Sequence, residues 1–313
     1  MKKHIRICYT NFWEGFDPEQ CAITYFLREV YDVEICKIPN EKLDLLIMSL
    51  FGDTNKTLKY FSGQIKILQL IAENTYPNFN TVDYTISHYD LGFNRNLRYP
   101  HWAYRDFERR HNYYEPRTFQ FQNQIEFTDD LFDNRSNDIP MAISNDYREG
   151  INIVEQLFEK FKINSCGKWL NNVPPIGDKI ESKIQYFNKF KFSLAFENAT
   201  NDGYVTEKLY ESFVANTIPI YFGCDDAKKD FNPKAFIHVR DYDNIDDLVN
   251  AIKEVMYDKE RYKEMITQKR IINYVDYDAR LKEFLINIIE NGRVFNHYFG
   301  AIGWIRYDIY HNN

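Results

Sequence analysis

The sequence predicts an α/β protein built as two units in series, each a parallel sheet with helices on its faces. Strand-like and helix-like segments alternate from His4 to His88. The stretch from Tyr99 to Pro140 is polar, aromatic and weakly periodic, and at Ile139 the alternation starts again. Strands that alternate with helices form βαβ units, and these close into parallel sheets. A length of 313 residues accommodates two domains of ordinary size, with one large domain as the alternative, and 44% hydrophobic residues can fill their cores.

Taken in order, HIRICYT (His4 to Thr10) alternates apolar and polar residues as a strand does. In DPEQCAITYFLREV, Asp17 is a cap and Pro18 suits the first helical position. Ile23, Phe26, Leu27 and Val30 make one helical stripe. VEICKI and LDLLIMSLF read as strands, the second buried on both faces. IKILQLIAEN is a strand from Ile65 to about Ile71 that stops at Glu73-Asn74, before the loop TYPNFN. DYTISH (Asp83 to His88) is the next strand. The aromatic middle reads as short helices and long loops that close the first domain.

In the second half, IPMAISN (Ile139 to Asn145) is a strand and a helix follows near Ile151 to Phe161. CGKWLNN is a turn and connection, and KIESKIQYFNKF a helix. KFSLAFEN, IPIYFG and AFIHVR read as strands, with VTEKLYESFVAN a helix between the first two. Ile245, Leu248, Val249, Ile252 and Val255 line one side of a helix, and Leu281, Phe284, Leu285 and Ile288 line one side of another. The expected domains are residues 1–138, residues 139–290, and a C-terminal segment 291–313 that packs back on the first domain.

The formal net charge of −7 disfavours general nucleic-acid binding, which needs a basic face. Five scattered cysteines without a C-x-x-C pair suggest reduced thiols in a cytoplasmic protein. The N-terminal residues lack the continuous apolar run of a signal peptide, and no stretch is long enough to span a bilayer. Peripheral contact with the inner membrane stays open. The 24 Tyr and 25 Phe read either as a compositional bias or, more sharply, as sugar-stacking faces; for the whole set the bias is preferred.

In open α/β sheets, ligands sit at the carboxyl ends of strands. That rule picks out Glu73-Asn74 in the first half, and Asn145 and Glu197-Asn198 in the second. The stretch FENATNDGYVTEKLYESFVANTIPIYFG (Phe196 to Gly223) carries Gly203, a site for positive φ or close approach, and then opens a helix with Thr-Glu-Lys. Free N–H groups and the positive end of a helix dipole suit a phosphate. Lys208 opposes that dipole, so an anion explains it better than helix stability; the plain alternative is a solvated first-turn lysine. Arg148 follows the strand MAISN and is placed to reach the same cleft, or is a surface charge. Glu73 is a candidate general base or an exposed loop acid. Two Asp-Tyr-Asp runs, Asp241–Asp243 and Asp276–Asp278, are set aside as metal ligands, because chance matches are expected among 46 acidic residues. No dinucleotide fingerprint, P-loop, HExxH or nucleophile elbow is present.

The quoted stretch resembles the signature of the α1,3/α1,4-fucosyltransferases, glycosyltransferase family 10. The resemblance extends to IAENTYPNFNTVDYTISHYDL, to AISN followed by an arginine, to GKWLNN and to KDFNPKAFIHVRDYDN. It implies a GT-B fold, two Rossmann-like domains facing across a cleft, the first for the acceptor and the second for the GDP-sugar. It implies GDP-β-L-fucose as donor and an oligosaccharide acceptor of the lactose or N-acetyllactosamine type. It also implies inversion at the anomeric centre, with no cofactor and no essential metal. Residue by residue, Glu73 matches the proposed general base, although Ala72 stands where many members have Gly. Lys208 matches the lysine on the diphosphate, Arg148 the second diphosphate cation, and Glu207 the acid on ribose or sugar hydroxyls. Tyr204 and Asn198 match donor contacts, and Lys168 and Asn171 are donor-side residues. Glu73→Ala and Lys208→Ala are each expected to nearly abolish transfer with the fold intact. Alternatives are another GDP-activated sugar as donor and a catalytically inactive glycan-binding homologue. Acceptor choice is assigned to Tyr76–Asp133. The last residues, YFGAIGWIRYDIYHNN, match neither the heptad repeats nor the basic tail of some bacterial members, and oligomeric state is left open.

Overall fold

The structure is a computed structural model, and it describes residues 1–40, 42–111, 124–146, 148–177 and 179–295. The chain divides into two compact units. The described residues of Met1–Pro116 and Asp276–Asn313 form one, and those of Arg117–Val275 form the other.

The first unit contains β1 (His4–Thr10), α1 (Ala22–Val30), β2 (Asp32–Cys36), β3 (Leu45–Met48), α2 (Thr54–Phe61), β4 (Ile67–Leu70), β5 (Tyr84–Ser87), β6 (Asn96–Arg98) and α3 (His101–Arg110). Its six strands form one parallel sheet in the order β2-β1-β3-β4-β5-β6. β2 is added on one side of β1 and β3 on the other, so strand order reverses between β1 and β3, which makes that junction the topological switch point. Every residue of β3 is fully buried, as the apolar run LLIM requires. Leu46, Met48 and Ile67 pack with Leu58 and Phe61 of α2 on one face. A fully buried side chain of this kind stabilises by about 1.5–3 kcal/mol.

The second unit contains α4 (Asp130–Asp133), β7 (Ile139–Met141), α5 (Ile151–Lys160), β8 (Ile163–Ser165), α6 (Ile180–Phe187), β9 (Phe192–Phe196), α7 (Glu207–Val214), β10 (Ile218–Phe222), α8 (Ala227–Asp230), β11 (Ile237–His238), α9 (Ile245–Tyr257) and α10 (Lys259–Ile266). The strands β9, β10 and β11 pair in parallel, as do β7 and β8, and β7 lies against β9. The chain therefore runs out from β7 to β8 and returns to β9, so this unit's switch point falls between β7 and β9. One apolar core joins all five strands to α5, α9 and α10.

Three expectations are corrected. Asp17 and Pro18 open a 3-10 turn, Pro18–Gln20, and not the long helix itself. Asp17 accepts from the Glu19 N–H, Cys21 is extended, and α1 begins only at Ala22. The boundary at 138/139 falls inside the second unit, because Ser136 already pairs with Phe190 there. Residues 276–290 do not belong to that unit. They form α11 (Tyr277–Asn291), which packs on α1 of the first. The Lys66 ammonium donates to the Ile288 and Ile289 carbonyls at 2.9 and 3.1 Å, and the Tyr31 hydroxyl donates to Glu290 at 2.8 Å. Of the C-terminal segment, Arg293 and Phe295 bond to Tyr84 and Asp83 of the first unit. Residues 296–313 lie outside the described residues, as does part of Tyr76–Asp133 (112–123). All five cysteines are free thiols. Among the described residues, no helix is long and apolar enough to cross a membrane.

Candidate active site

The switch point of the second unit gathers charge. β9 is apolar and fully buried, and its last residue hands over directly to Glu197, which is also fully buried. A buried carboxylate needs donors. The loop that follows returns to supply them: Gly203 adopts φ 73°, which turns the chain, and Thr206 arrives beside Glu197. The Thr206 main-chain N–H donates to Glu197 Oε1 at 2.7 Å, and the Thr206 hydroxyl to Oε2 at 2.5 Å. Thr206 therefore takes the cap position of α7 without capping it by its side chain. Lys208 then comes back from the first helical turn. Its ammonium donates to Thr206 Oγ1 at 2.9 Å, to Glu197 Oε2 at 3.2 Å and to Glu207 Oε1 at 3.3 Å.

Gly223, at the end of IPIYFG, lets these groups close up. A Cβ there would stand 2.1 Å from the Tyr221 hydroxyl and 2.9 Å from Glu197 Cγ. The burial of Glu197 pushes its carboxyl up from the usual range, against Lys208 and the Thr206 donors. Burial also works against the Lys208 charge, but Glu197 and Glu207 outweigh it and raise its pKa above the ordinary lysine value. Lys208 is thus a charged, enclosed lysine with a side chain only 18% exposed, and not a solvated one. Part of the anion that its position demanded is supplied by the chain's own Glu197.

Arg148 completes the group from the other side of the switch point. It follows β7, and its guanidinium donates to the Asn145 carbonyl at 3.2 Å and to the Phe196 carbonyl at 3.0 Å. Burial lowers its pKa, while Glu197, Tyr204 and Glu207 oppose that shift. Main-chain carbonyls hold it in place, and among the described residues it makes no ion pair. Tyr204 is buried beside Lys208. Asn198 is exposed, and its carbonyl accepts from the Glu149 N–H at 3.2 Å, tying the two switch-point loops together.

The structure therefore brings together Arg148, Tyr204, Glu207 and Lys208, with Asn198 at the rim, and adds Glu197 as the hub. Sequence reasoning picked out Glu197 as a strand end but gave it no role in the site. The signal was present: an acid directly after a mostly apolar strand, with a hydroxyl nine positions on. Lys168 and Asn171 lie in the turn after β8, where the Trp169 N–H donates to the Ile143 carbonyl at 3.0 Å in the loop that leads from β7 to Arg148. Both are exposed, and the Asn171 side chain donates to the Ser165 and Gly167 carbonyls at 3.2 and 3.0 Å. Glu73 belongs to the first unit. It is exposed, three residues beyond Leu70 at the end of β4, in a tight turn where Thr75 N–H donates to its carbonyl at 2.7 Å. Asp241, set aside as a ligand, lies close to Asp225 and His238, with ligand atoms within 4.8 Å of one another. The Lys228 ammonium bridges Asp225 and Asp241 and satisfies that pair with a cation of the chain's own.

Residues 134–285 match the model of glycosyltransferase family 10 (fucosyltransferase) C-terminal domains, and residues 7–105 match the α-(1,3)-fucosyltransferase FucT N-terminal domain. An α-(1,3)-fucosyltransferase from Helicobacter pylori is 27% identical over 93% of this chain and 67% of its own length. A mimivirus putative fucosyltransferase is 40% identical over 45% of the chain and 25% of its own length. The human 4-galactosyl-N-acetylglucosaminide 3-α-L-fucosyltransferase 9 is 38% identical over 36% of the chain and 29% of its own length. The chain thus matches less than a third of the length of the latter two relatives. A crystal structure of an α1,3-fucosyltransferase superposes with a TM-score of 0.75 at 24% identity, covering 95% of this chain and 94% of that one. A structure described as the same type of enzyme with GDP-fucose gives 0.74 at 23%, covering 95% and 94%.

Fold and likeness define the class: a GT-B glycosyltransferase. Within it, the chain belongs to glycosyltransferase family 10, the fucosyltransferases.

Proposed function

We propose that this protein transfers L-fucose from GDP-β-L-fucose to a GlcNAc or Glc hydroxyl of an oligosaccharide, in α1,3 or α1,4 linkage and with inversion. The observation that carries this reading is the enclosed Arg148–Glu197–Glu207–Lys208 cluster at the switch point of a family 10 chain. Arg148 and Lys208 grip the diphosphate and neutralise the charge that develops on departing GDP. Glu207 accepts from sugar or ribose hydroxyls. Tyr204, Asn198, Lys168 and Asn171 contribute donor-side contacts. Glu73 takes the proton from the acceptor hydroxyl, whose oxygen attacks the anomeric carbon as its bond to GDP breaks. With two cations at the phosphates, no metal is needed for that charge. A group of this kind is worth about 10²–10³ in rate, and a general base about 10²–10⁴.

The test is incubation with GDP-fucose and lactose, N-acetyllactosamine or its type 1 isomer, with product linkage read by NMR. Fucosylated product that disappears with Glu73→Ala is expected. Equal turnover of GDP-mannose, or none of GDP-fucose, would replace the donor assignment.

A further inference from the structure

The first unit has its own switch point, between β1 and β3, and aromatic side chains occupy it. After Thr10, Asn11 adopts a left-handed φ of 59° and turns the chain over the carboxyl edge of the sheet. Its side-chain amide donates to the Phe51 carbonyl at 2.8 Å, and the Thr57 hydroxyl donates to Asn11 Oδ1 at 2.9 Å. The Phe51 N–H donates to the Asn11 carbonyl at 3.0 Å. The loops after β1 and β3 are thereby clamped to each other. On this clamp, Phe12 and Phe16 stack with centroids 3.9 Å apart, and Trp13 stands edge-on to Phe16 at 5.1 Å and to Phe51 at 5.9 Å. Phe12 and Phe16 are inner supports that both also pack on Tyr9. Trp13 and Phe51 remain 36% and 37% exposed.

Holding two aromatic faces in water forfeits hydrophobic stabilisation, so a rigid, supported pair at a ligand-binding edge calls for an occupant. Sheet topology selects it. Neighbouring strands lie about 4.8 Å apart, so the end of β1 is roughly 10 Å from the end of β4, where Glu73 follows. Two linked pyranose rings span that interval. A pyranose presents C–H groups on one face and hydroxyls around its rim. It can lie on an aromatic face without leaving a polar group buried.

We propose that Trp13 and Phe51 form a sugar-stacking subsite that holds one ring of a neutral oligosaccharide while the next ring reaches Glu73. This rests on the transferase reading above and adds to it where the acceptor lies. The test is saturation-transfer NMR with N-acetyllactosamine on the wild type, Trp13→Ala, Trp13→Phe, Phe51→Ala and the control Tyr60→Ala, an exposed aromatic on α2. Wild type and the Tyr60 variant are expected to give sugar signals, Trp13→Ala and Phe51→Ala to lose them by about tenfold in affinity, and Trp13→Phe to recover most of the loss. Unchanged hydrogen exchange in β1, β3 and β4 in all variants shows that the first unit stays folded. Sugar signals that persist in Trp13→Ala and Phe51→Ala, or that are missing in the wild type, overturn the proposal. Where active enzyme is followed, acceptor KM rises with little change in kcat. Failure of the fucosyl-transfer reading is seen separately, as no turnover of GDP-fucose.

Discussion

Removing the Lys208 ammonium acts on ligand and fold at once. The side chain is a candidate phosphate ligand, and it is also the cation nearest the buried Glu197 carboxylate. Deleting one member of a buried pair leaves an uncompensated charge, at a cost of about 3–5 kcal/mol. Lys208→Ala is therefore expected to lose both transfer and stability, which revises the expectation that its fold stays intact. The double variant Glu197→Gln/Lys208→Met removes both charges and should regain most of the stability with transfer still absent. Urea denaturation beside a GDP-fucose assay separates the two effects. Full stability in Lys208→Ala would show that the pair carries little energy, and activity in the double variant would remove the lysine from phosphate binding. Lys208 drew attention because a cation in a helix's first turn is locally odd, Arg148 only by its place after a strand, and the family resemblance supplied the roles expected of both. Glu197 was legible as a strand end but not as the hub, because a carboxylate's burial depends on strands that meet it from far along the chain.

At the scale of elements, the long periodic segments read correctly. The helix Ile245–Tyr257 keeps its stripe on the core, and β9 and β10 match their apolar runs. The short elements carried too little pattern. α2 buries only Leu58 and Phe61, and α10 only Tyr262 and Ile266. β6 and β8 have three residues each, so partners and not propensity decide them. His88, just after β5, shows what an element's end can impose. Burial, with Arg98 and His101 adding to it, lowers its pKa from 6.5 to about 3. Between those values the unfolded chain takes up a proton that the folded one refuses, so stability falls as pH falls from 6.5 toward 3. The slope from this one residue is about 1.4 kcal/mol per pH unit. Other groups titrate in the same range, so the informative quantity is the difference between wild type and His88→Gln. That difference should change by about this slope in urea titrations between pH 6 and 4. Parallel curves would mean that His88 is protonated in the folded state.

For the whole molecule, the strand–helix rhythm revealed two units but not where the chain leaves each one. α11 follows the second unit in sequence and has an ordinary amphipathic stripe, so nothing local says which sheet it serves. Its partners do: Lys66, Tyr31 and α1 all belong to the first unit. The first unit is consequently closed by α11, which begins 167 positions after α3 ends, and its folding depends on the chain's return. Leu285 is 1% exposed in that helix. Leu285→Ala removes buried methyl groups and leaves a cavity, a loss of about 2–5 kcal/mol. The loss should be confined to the first unit. Hydrogen exchange should rise in β1, α1 and α11, with GDP affinity unchanged because the proposed donor residues Arg148, Glu207 and Lys208 belong to the other unit. Loosening of β9 or β10 in that variant, or a matching fall in GDP affinity, would show that α11 stabilises the second unit and that the division of the chain has been drawn in the wrong place.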